Sequence, residues 1–220
     1  MFHRKSPFVA AFAAAALLGL SSLAQAAPTT WTIDPNHSNV SFTIRHFFSK
    51  VTGSFQKFSG KIVYDPANVA ASSAQAEIDA ASIYTANEKR DGHLRSADFF
   101  DVEKFPKLTF QSTKVTPQGD KLMIEGNLTM HGITKPVTLE GALLGSSADK
   151  AGFEASGKVD RKEFGIIWNR AVDQGGAMLG DDVTISISVE ANSEAAEAKH
   201  AEMMKKAAAD KAAGKTEAAK

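Results

Sequence analysis

The chain of 220 residues contains no cysteine, which excludes disulfide bonds, thiol catalysis and thiolate metal sites. Its 25 basic and 25 acidic residues balance, so it carries no formal net charge. Without an excess of lysine and arginine there is no broad basic surface of the kind that nucleic acids require. We therefore expect a protein stabilised by apolar packing, with no nucleic-acid partner.

Motifs for catalysis and for metal or cofactor binding are also missing. The sequence has no GxSxG elbow, no phosphate-binding loop, no GxGxxG and no HExxH. Four histidines lie between the two ends of the chain, and no two of them have the spacing of metal ligands; they are His37, His46, His93 and His131. The sequence predicts no catalytic residue, no metal site and no cofactor, and favours a structural role for each histidine.

Long apolar runs are absent except at the N-terminus. Basic residues near position 4 precede an apolar stretch from Phe8 to Leu20, and Ala24 and Ala26 frame a cleavage site before Ala27. The stretch is shorter than the roughly 20 residues that span a bilayer, whereas the three features together are typical of a signal peptide. We expect residues 1–26 to be removed and a mildly acidic mature protein to be exported to a periplasm.

Short alternating segments separated by turn residues fill residues 31–190. In one of them Val40, Phe42 and Ile44 share one face, with polar residues between them, which is the period of a strand with one apolar face. Eight such strands are recognisable, near residues 39–45, 53–65, 74–80, 107–115, 120–130, 137–143, 153–159 and 183–189. This pattern favours an antiparallel sheet, folded either as a sandwich or as a closed barrel able to hold one small ligand.

A charged segment, residues 90–106, interrupts the alternation after the third predicted strand. Asn87 is a favourable N-cap, so a short helix is predicted over residues 87–96. The segment begins with Arg90, Asp91, His93 and Arg95. These residues either brace the fold as a hydrogen-bonded network or contact the polar head of a ligand at the mouth of a barrel; the two interpretations are compatible.

The apolar faces form a second candidate site. Fourteen phenylalanines, against two tryptophans and two tyrosines, give an interior with few polar groups. An ordinary core would use them as well, but around a cavity they would suit a long hydrocarbon, since each methylene removed from water contributes about 0.8 kcal/mol. Strand alternation places five apolar side chains in the interior: Phe42, Ile44, Phe55, Phe110 and Leu139.

Residues 191–220 have a different composition, rich in Ala, Lys and Glu and free of aromatic residues. Such a segment has little to bury, so we expect a helical or disordered tail. A solvated appendage is the favoured interpretation, and a lysine-rich arm that touches anionic lipid is the alternative.

The ordered motifs resemble those of the YceI-like family of exported polyisoprenoid-binding proteins. The similarity covers residues 31–190, and the matching motifs are DPNHS (34–38), VSFTIRH (40–46), GSF (53–55), FSG (58–60), ASIYT (81–85), RDGHLRSADFFD (90–101), GNLTMHGITKPV (126–137) and DRKEFG (160–165). The resemblance implies an all-β, lipocalin-like, eight-stranded antiparallel barrel over residues 27–190. It also implies an apolar tunnel for an isoprenoid chain such as a quinone or polyprenyl tail, and it does not suggest enzymatic activity.

The expected function is therefore sequestration or transport of a long isoprenoid lipid in the periplasm. Transient membrane contact and a homodimer are both compatible with the sequence. Two alternatives stay open: an enzyme acting on a lipid or quinone, with His93 or His37 as acid or base, and a stress-protective protein with a solid core.

Overall fold

The computed structural model describes residues 28–171 and 178–217, with side chains described as far as residue 209. The predicted signal peptide, residues 1–26, lies outside the described residues. Within the described part, no helix combines the length and the apolar character needed to cross a membrane.

Strands dominate the fold. They are β1 (Thr29–Ile33), β2 (Asn39–His46), β3 (Ser49–Phe55), β4 (Phe58–Tyr64), β5 (Ser73–Asp79), β6 (Ile83–Tyr84), β7 (Lys107–Gln118), β8 (Lys121–Met130), β9 (Ile133–Ser146), β10 (Lys150–Asp160) and β11 (Leu179–Ser193). The α-helices are α1 (Glu88–Arg95) and α2 (Glu194–Glu217), and short 3-10 helices occur at Pro35–His37, Val69–Ala71, Ala80–Ser82 and Arg161–Phe164.

Eight strands close into a barrel. The ring runs β1-β4-β5-β7-β8-β9-β10-β11, every neighbouring pair is antiparallel, and the pairing of β11 with β1 closes it. The remaining strands, β2, β3 and β6, extend the sheet from β11. The predicted eight-stranded antiparallel barrel is confirmed, and closure leaves no free edge in the ring.

Local sequence explains several connections. The β7–β8 turn contains Gly119 with φ 65°, a left-handed conformation that glycine adopts without cost. The predicted helix is α1, and the Asn87 side chain caps it by accepting a hydrogen bond from the Arg90 amide at 3.0 Å. The helix comes after β5, the third predicted strand, with the short strand β6 between them.

The ring differs from the predicted strands in three places. β1 is a strand that the pattern does not predict, and the predicted strand near residues 39–45 is β2, which lies outside the ring. The run near residues 53–65 is divided between β3 and β4, with Gln56 and Lys57 at the break. β3 pairs with β2 and β6, whereas β4 pairs with β1 and β5. The break therefore separates the barrel ring from its extension.

The two ends of the barrel are built differently. At one end, here called the α1 end, lie α1, the β2–β3 turn, the β8–β9 turn and the β10–β11 connection. At the opposite end, the α2 end, Ser193 Oγ accepts a hydrogen bond from the Ala196 amide at 3.2 Å as α2 begins. Lys199 of α2 then pairs with Asp149 at 3.0 Å.

Candidate functional site

The inward faces of the strands enclose an apolar cavity of about 310 Å³. That volume is at the lower end of the range of small-molecule sites, roughly 300–1,000 Å³. The wall consists almost entirely of aliphatic and aromatic side chains, and the polar residues among its lining are Ser41, His46, Ser59, Arg90, His93 and Arg161. The cavity is suited to a hydrocarbon, because its wall offers few hydrogen-bonding groups.

An aromatic cluster fills the barrel on the α2 side of the cavity. Trp31 and Phe153 have ring centroids 6.4 Å apart, and Tyr64 lies 6.3 Å from Phe153. Trp31 is 5% exposed. Ile33 and Val189 belong to this cluster and also line the cavity, so the cluster forms the floor of the site.

All five side chains predicted for the interior line the cavity: Phe42, Ile44, Phe55, Phe110 and Leu139. Phe55 and Leu139 are buried, at 7% and 6% exposure. Phe42, Ile44 and Phe110 are only half-buried, although strand alternation turns them inward. We attribute their remaining exposure to the cavity that they face.

Two glycines determine how the phenylalanine rings lie. A Cβ atom added at Gly53, which pairs with Phe42 across β2 and β3, would stand 2.5 Å from Phe42 Cζ. A Cβ atom added at Gly126 would stand 2.4 Å from Phe110 Cζ. Each ring therefore lies flat against the backbone of the neighbouring strand, which keeps the centre of the cavity open.

The four residues predicted as a mouth network fall into two pairs. Arg90 and His93 line the cavity, whereas Asp91 and Arg95 are not among its lining residues. Asp91 is buried at 4% exposure and accepts hydrogen bonds from the amide, at 2.9 Å, and the hydroxyl of Thr85. Arg95 donates from Nε to Ala81 O at 2.7 Å and from Nη2 to Ile83 O at 2.9 Å.

Arg90 joins the bracing contacts to the cavity. Its Nε donates to Thr85 Oγ1 at 2.7 Å and its Nη2 donates to Thr85 O at 2.8 Å. Thr85 thus connects Arg90 with Asp91. Both Arg90 and Arg95 bond to groups preceding α1, so these arginines hold the helix against the segment of residues 81–85.

His93 belongs to an aromatic group at the α1 end of the cavity. Its Nε2 lies 2.7 Å from Asp98 Oδ2. Its ring packs edge-to-face with those of Phe99 and Trp168, at centroid distances of 5.0 and 4.9 Å. All three rings line the cavity. The carboxylate fixes the orientation of the imidazole, which then packs as part of the wall.

Arg161 also lines the cavity and was not singled out from the sequence. It is buried at 3% exposure. Its Nη1 donates to Ile166 O at 2.7 Å and to Trp168 O at 2.8 Å, and its Nε donates to Gly180 O at 2.9 Å. Burial lowers the pKa of this guanidinium, and the nearby Asp181 opposes that shift. Arg161 thereby positions the loop that supplies Ile166 and Trp168 to the wall.

A second cluster of ionisable groups lies outside the cavity. Asp34, His37 and Glu190 bring ligand-type atoms within 4.8 Å of one another. His37 Nδ1 bonds Asp34 Oδ2 at 2.8 Å, and Lys150 pairs with Glu190. The Lys150 ammonium already lies beside the Glu190 carboxylate, so we assign this cluster to ion pairing that joins β10 and the Pro35–His37 3-10 helix to β11.

Comparisons with known proteins agree with this geometry. The sequence matches the family model described as the YceI-like domain over residues 31–191. It is 42% identical to Protein YceI of Salmonella arizonae over 185 residues, which covers 81% of this chain and 94% of that protein.

Two solved structures illustrate the likeness in fold. BcnA of Burkholderia cenocepacia aligns with a TM-score of 0.66 and 28% identity, covering 72% of this chain and 98% of that one. A domain of Saccharophagus degradans described as polyisoprenoid-binding aligns with a TM-score of 0.57 and 14% identity, covering 76% of this chain and 99% of that one. At that identity the second alignment shows the fold alone.

Proposed function

The chain belongs to the YceI-like family, and on that premise we propose that it is a periplasmic protein that sequesters or carries a long isoprenoid lipid. The ligand would be a quinone or a polyprenyl chain. The observation that carries the proposal is the apolar cavity inside the closed barrel. The Saccharophagus degradans domain described as polyisoprenoid-binding has the same fold, which supports this class of ligand.

Burial of the hydrocarbon supplies the driving force in this proposal. About ten methylenes transferred from water would contribute ~8 kcal/mol before the cost of ordering the chain. Because the aromatic cluster of Trp31, Tyr64 and Phe153 forms the floor, we expect the tail to enter first. The polar head would then stay at the α1 end, near Arg90 and His93.

The periplasmic location rests on the predicted signal peptide. Residues 1–26 combine a basic start, an apolar stretch and a small-residue cleavage site. Export would place the barrel between two membranes, where a water-soluble carrier of an insoluble lipid has a use.

We propose binding rather than catalysis. His37 has a side-chain exposure of 62% and is hydrogen-bonded to Asp34, outside the cavity lining, so it is not placed to act on a bound lipid. His93 is the better candidate for the enzyme alternative, since it lines the cavity beside Asp98. An unchanged rate in a His93→Ala variant, in a turnover assay with lipid or quinone substrates, would exclude it as the acid or base.

The solid-core alternative has less support. A protein that only protects through its own stability has no need of an apolar cavity, because unfilled space in a core is destabilising. The cavity of about 310 Å³ therefore favours a ligand.

The decisive experiment is solvent extraction of the protein purified from its own exported fraction, followed by mass spectrometry. We expect a polyprenyl or quinone mass in stoichiometric amount. A protein that is recovered folded and empty, and that takes up no isoprenoid lipid when one is added, would contradict the proposal.

A further inference from the structure

The turn between β2 and β3 exposes two adjacent aromatic rings at the α1 end. Phe48 is fully exposed, at 103%, and Phe47 is 37% exposed. Their ring centroids lie 5.8 Å apart. Exposure of such large apolar side chains to water is unfavourable, and covering them would stabilise the protein.

The turn itself does not require phenylalanine. His46 pairs with Ser49, so Phe47 and Phe48 form a two-residue turn in which Phe47 has φ 53°. Such turns favour glycine, asparagine or aspartate, and a bulky residue with positive φ is strained. Phe47 is strained and Phe48 gains nothing from burial, which indicates that the two phenylalanines serve something other than the turn.

Basic residues flank the rings. Arg45 and Lys50 are cross-strand partners, and alternation points both away from the cavity side that holds Ile44. Like charges directly opposite one another are destabilising. Among the described residues, no carboxylate lies within 4.0 Å of either basic group; Asp181, on the neighbouring strand, pairs instead with Lys162 at 2.9 Å.

This turn adjoins the cavity. The Phe47 amide donates to Met178 O at 2.8 Å, and both His46 and Met178 line the cavity. The Met178 amide donates to Arg170 O at 3.1 Å, which brings in the loop that carries Ile167, exposed at 71%. Exposed apolar side chains therefore lie on both the β2–β3 turn and the neighbouring β10–β11 connection, at the rim of the cavity.

We propose that this surface, formed by Phe47, Phe48, Arg45 and Lys50, docks on an anionic lipid bilayer. The rings enter the boundary between head groups and acyl chains, and the cations meet lipid phosphates, which is the division of roles found in interfacial membrane-binding segments. A convex turn flanked by charges suits a soft membrane better than a protein interface, whose buried centre is depleted of charge. Docking would bring the rim of the cavity to the membrane, whatever lipid the cavity holds.

Cosedimentation of the intact mature protein with vesicles tests the proposal. We expect binding to phosphatidylcholine vesicles that contain phosphatidylglycerol, and weaker binding as salt is raised. Phe48→Ser should weaken binding about tenfold through lost apolar burial. Leu144→Ser is the matched control, because Leu144 is 61% exposed but lies near the α2 end, and it should bind like the parent protein.

Two further measurements test the role of the basic residues and the insertion of the rings into the bilayer. Lys50→Gln and Arg45→Gln should each weaken binding about fivefold on phosphatidylglycerol vesicles and little on pure phosphatidylcholine. Phe48→Trp should keep the affinity, and its fluorescence should shift to shorter wavelength on binding as the ring leaves water.

Three results would overturn the docking surface. The first is that the parent protein binds no vesicles, and the second is that Leu144→Ser loses as much affinity as Phe48→Ser. The third is that Phe48→Ser leaves vesicle binding intact and only separates a dimer into monomers. Extraction of lipid from the same samples is a separate measurement, so loss of vesicle binding with full lipid retention is distinct from failure of the carrier function.

Discussion

Single glycines control the shape of the cavity. At Gly53 the Phe42 ring occupies the space that a Cβ atom would need, and Thr85 Cγ2 is also within 2.7 Å of that position. Both obstacles are side chains, so an added methyl group would displace them rather than the backbone. Because Phe42 lines the cavity, we expect its ring to be pushed toward the cavity.

We therefore expect Gly53→Ala to reduce the amount of bound lipid and to lower the free energy of unfolding by about 1–3 kcal/mol through overpacking. Mass spectrometry of the extracted lipid and urea denaturation measure the two effects. Gly145→Ala is the control, because a Cβ atom there meets nothing within 4 Å. Equal lipid content in both variants would show that Phe42 does not shape the site.

A second residue-scale feature is the carboxyl group of Asp34. It accepts hydrogen bonds from the Asn36 amide at 2.9 Å and from His37 at 2.8 Å. The hydrogen bond from His37 lowers the pKa of Asp34 below its ordinary value, against the effect of burial. A lowered pKa means that the ionised carboxylate stabilises the fold, and that this contribution is lost as pH falls through the folded-state pKa.

Asp34→Asn should thus lower the free energy of unfolding by about 1 kcal/mol at neutral pH. The difference from the parent protein should begin to shrink below about pH 4, where the carboxyl group is protonated in the unfolded chain. It should disappear only once the pH lies below the lowered pKa of Asp34 in the folded protein. Urea denaturation across pH measures it, with Glu202→Gln on the exposed surface of α2 as the control. A constant difference at every pH would contradict the assignment.

At the scale of elements, polar contacts join α1 to the segment that precedes it, and Leu94 packs the helix on the apolar core. Asp91 binds Thr85, while Arg95 reaches the carbonyl groups of Ala81 and Ile83. Those carbonyl groups precede the helix, so α1 and the segment before it form one unit. Arg90, His93 and Leu94 project from this unit into the cavity lining.

Replacing Arg95 with alanine should lower the free energy of unfolding by about 2 kcal/mol, because charged hydrogen bonds to two carbonyl oxygens are lost. We also expect faster hydrogen exchange of the α1 amides than of the barrel strands. Arg95→Lys should not restore stability, since an ammonium group cannot reproduce the two-pronged geometry. Lys89→Ala, an exposed change on the same helix, should stay within about 0.5 kcal/mol of the parent.

At the scale of the whole molecule, the barrel is filled at the α2 end and hollow toward the α1 end. Trp31, Tyr64 and Phe153 fill the first region, and the cavity begins where their packing stops. The strands of the ring together with β2 and β3 wall the cavity from the side. A bound chain would consequently be protected along its length.

A charge inside this hollow should prevent lipid retention. Phe110→Glu should remove bound lipid because an ionised carboxylate is costly to bury beside a hydrocarbon, whereas Gln111→Glu, one residue along on the exposed face, should keep it. Arg90→Ala and His93→Ala should keep part of the lipid. Circular dichroism checks folding, and Phe110→Ala provides a variant that enlarges the cavity without a charge. Full lipid retention by Phe110→Glu would contradict binding in the cavity.

The sequence by itself determined most of the strands, their antiparallel arrangement and the side chains on the apolar face, whereas closure of the sheet into a barrel was expected only from the family resemblance. Alternation is a local property of extended chain, so Phe42 and Phe110 could be placed in the interior without knowing which strands pair. The cap of α1 by Asn87 and the turn at Gly119 are equally local.

Only the tertiary structure decided whether the interior is hollow, because periodicity gives the direction of a side chain and not the distance to the opposite wall. It also separated the roles of the charged residues, since Arg90 lines the cavity whereas Arg95 donates to backbone carbonyl groups. The role of Arg161 could not be predicted from the sequence, because its partners Gly180 and Trp168 come together only when the β10–β11 connection folds over the barrel. Roles that depend on distant backbone atoms are set by the fold, since no pattern within a short segment encodes them.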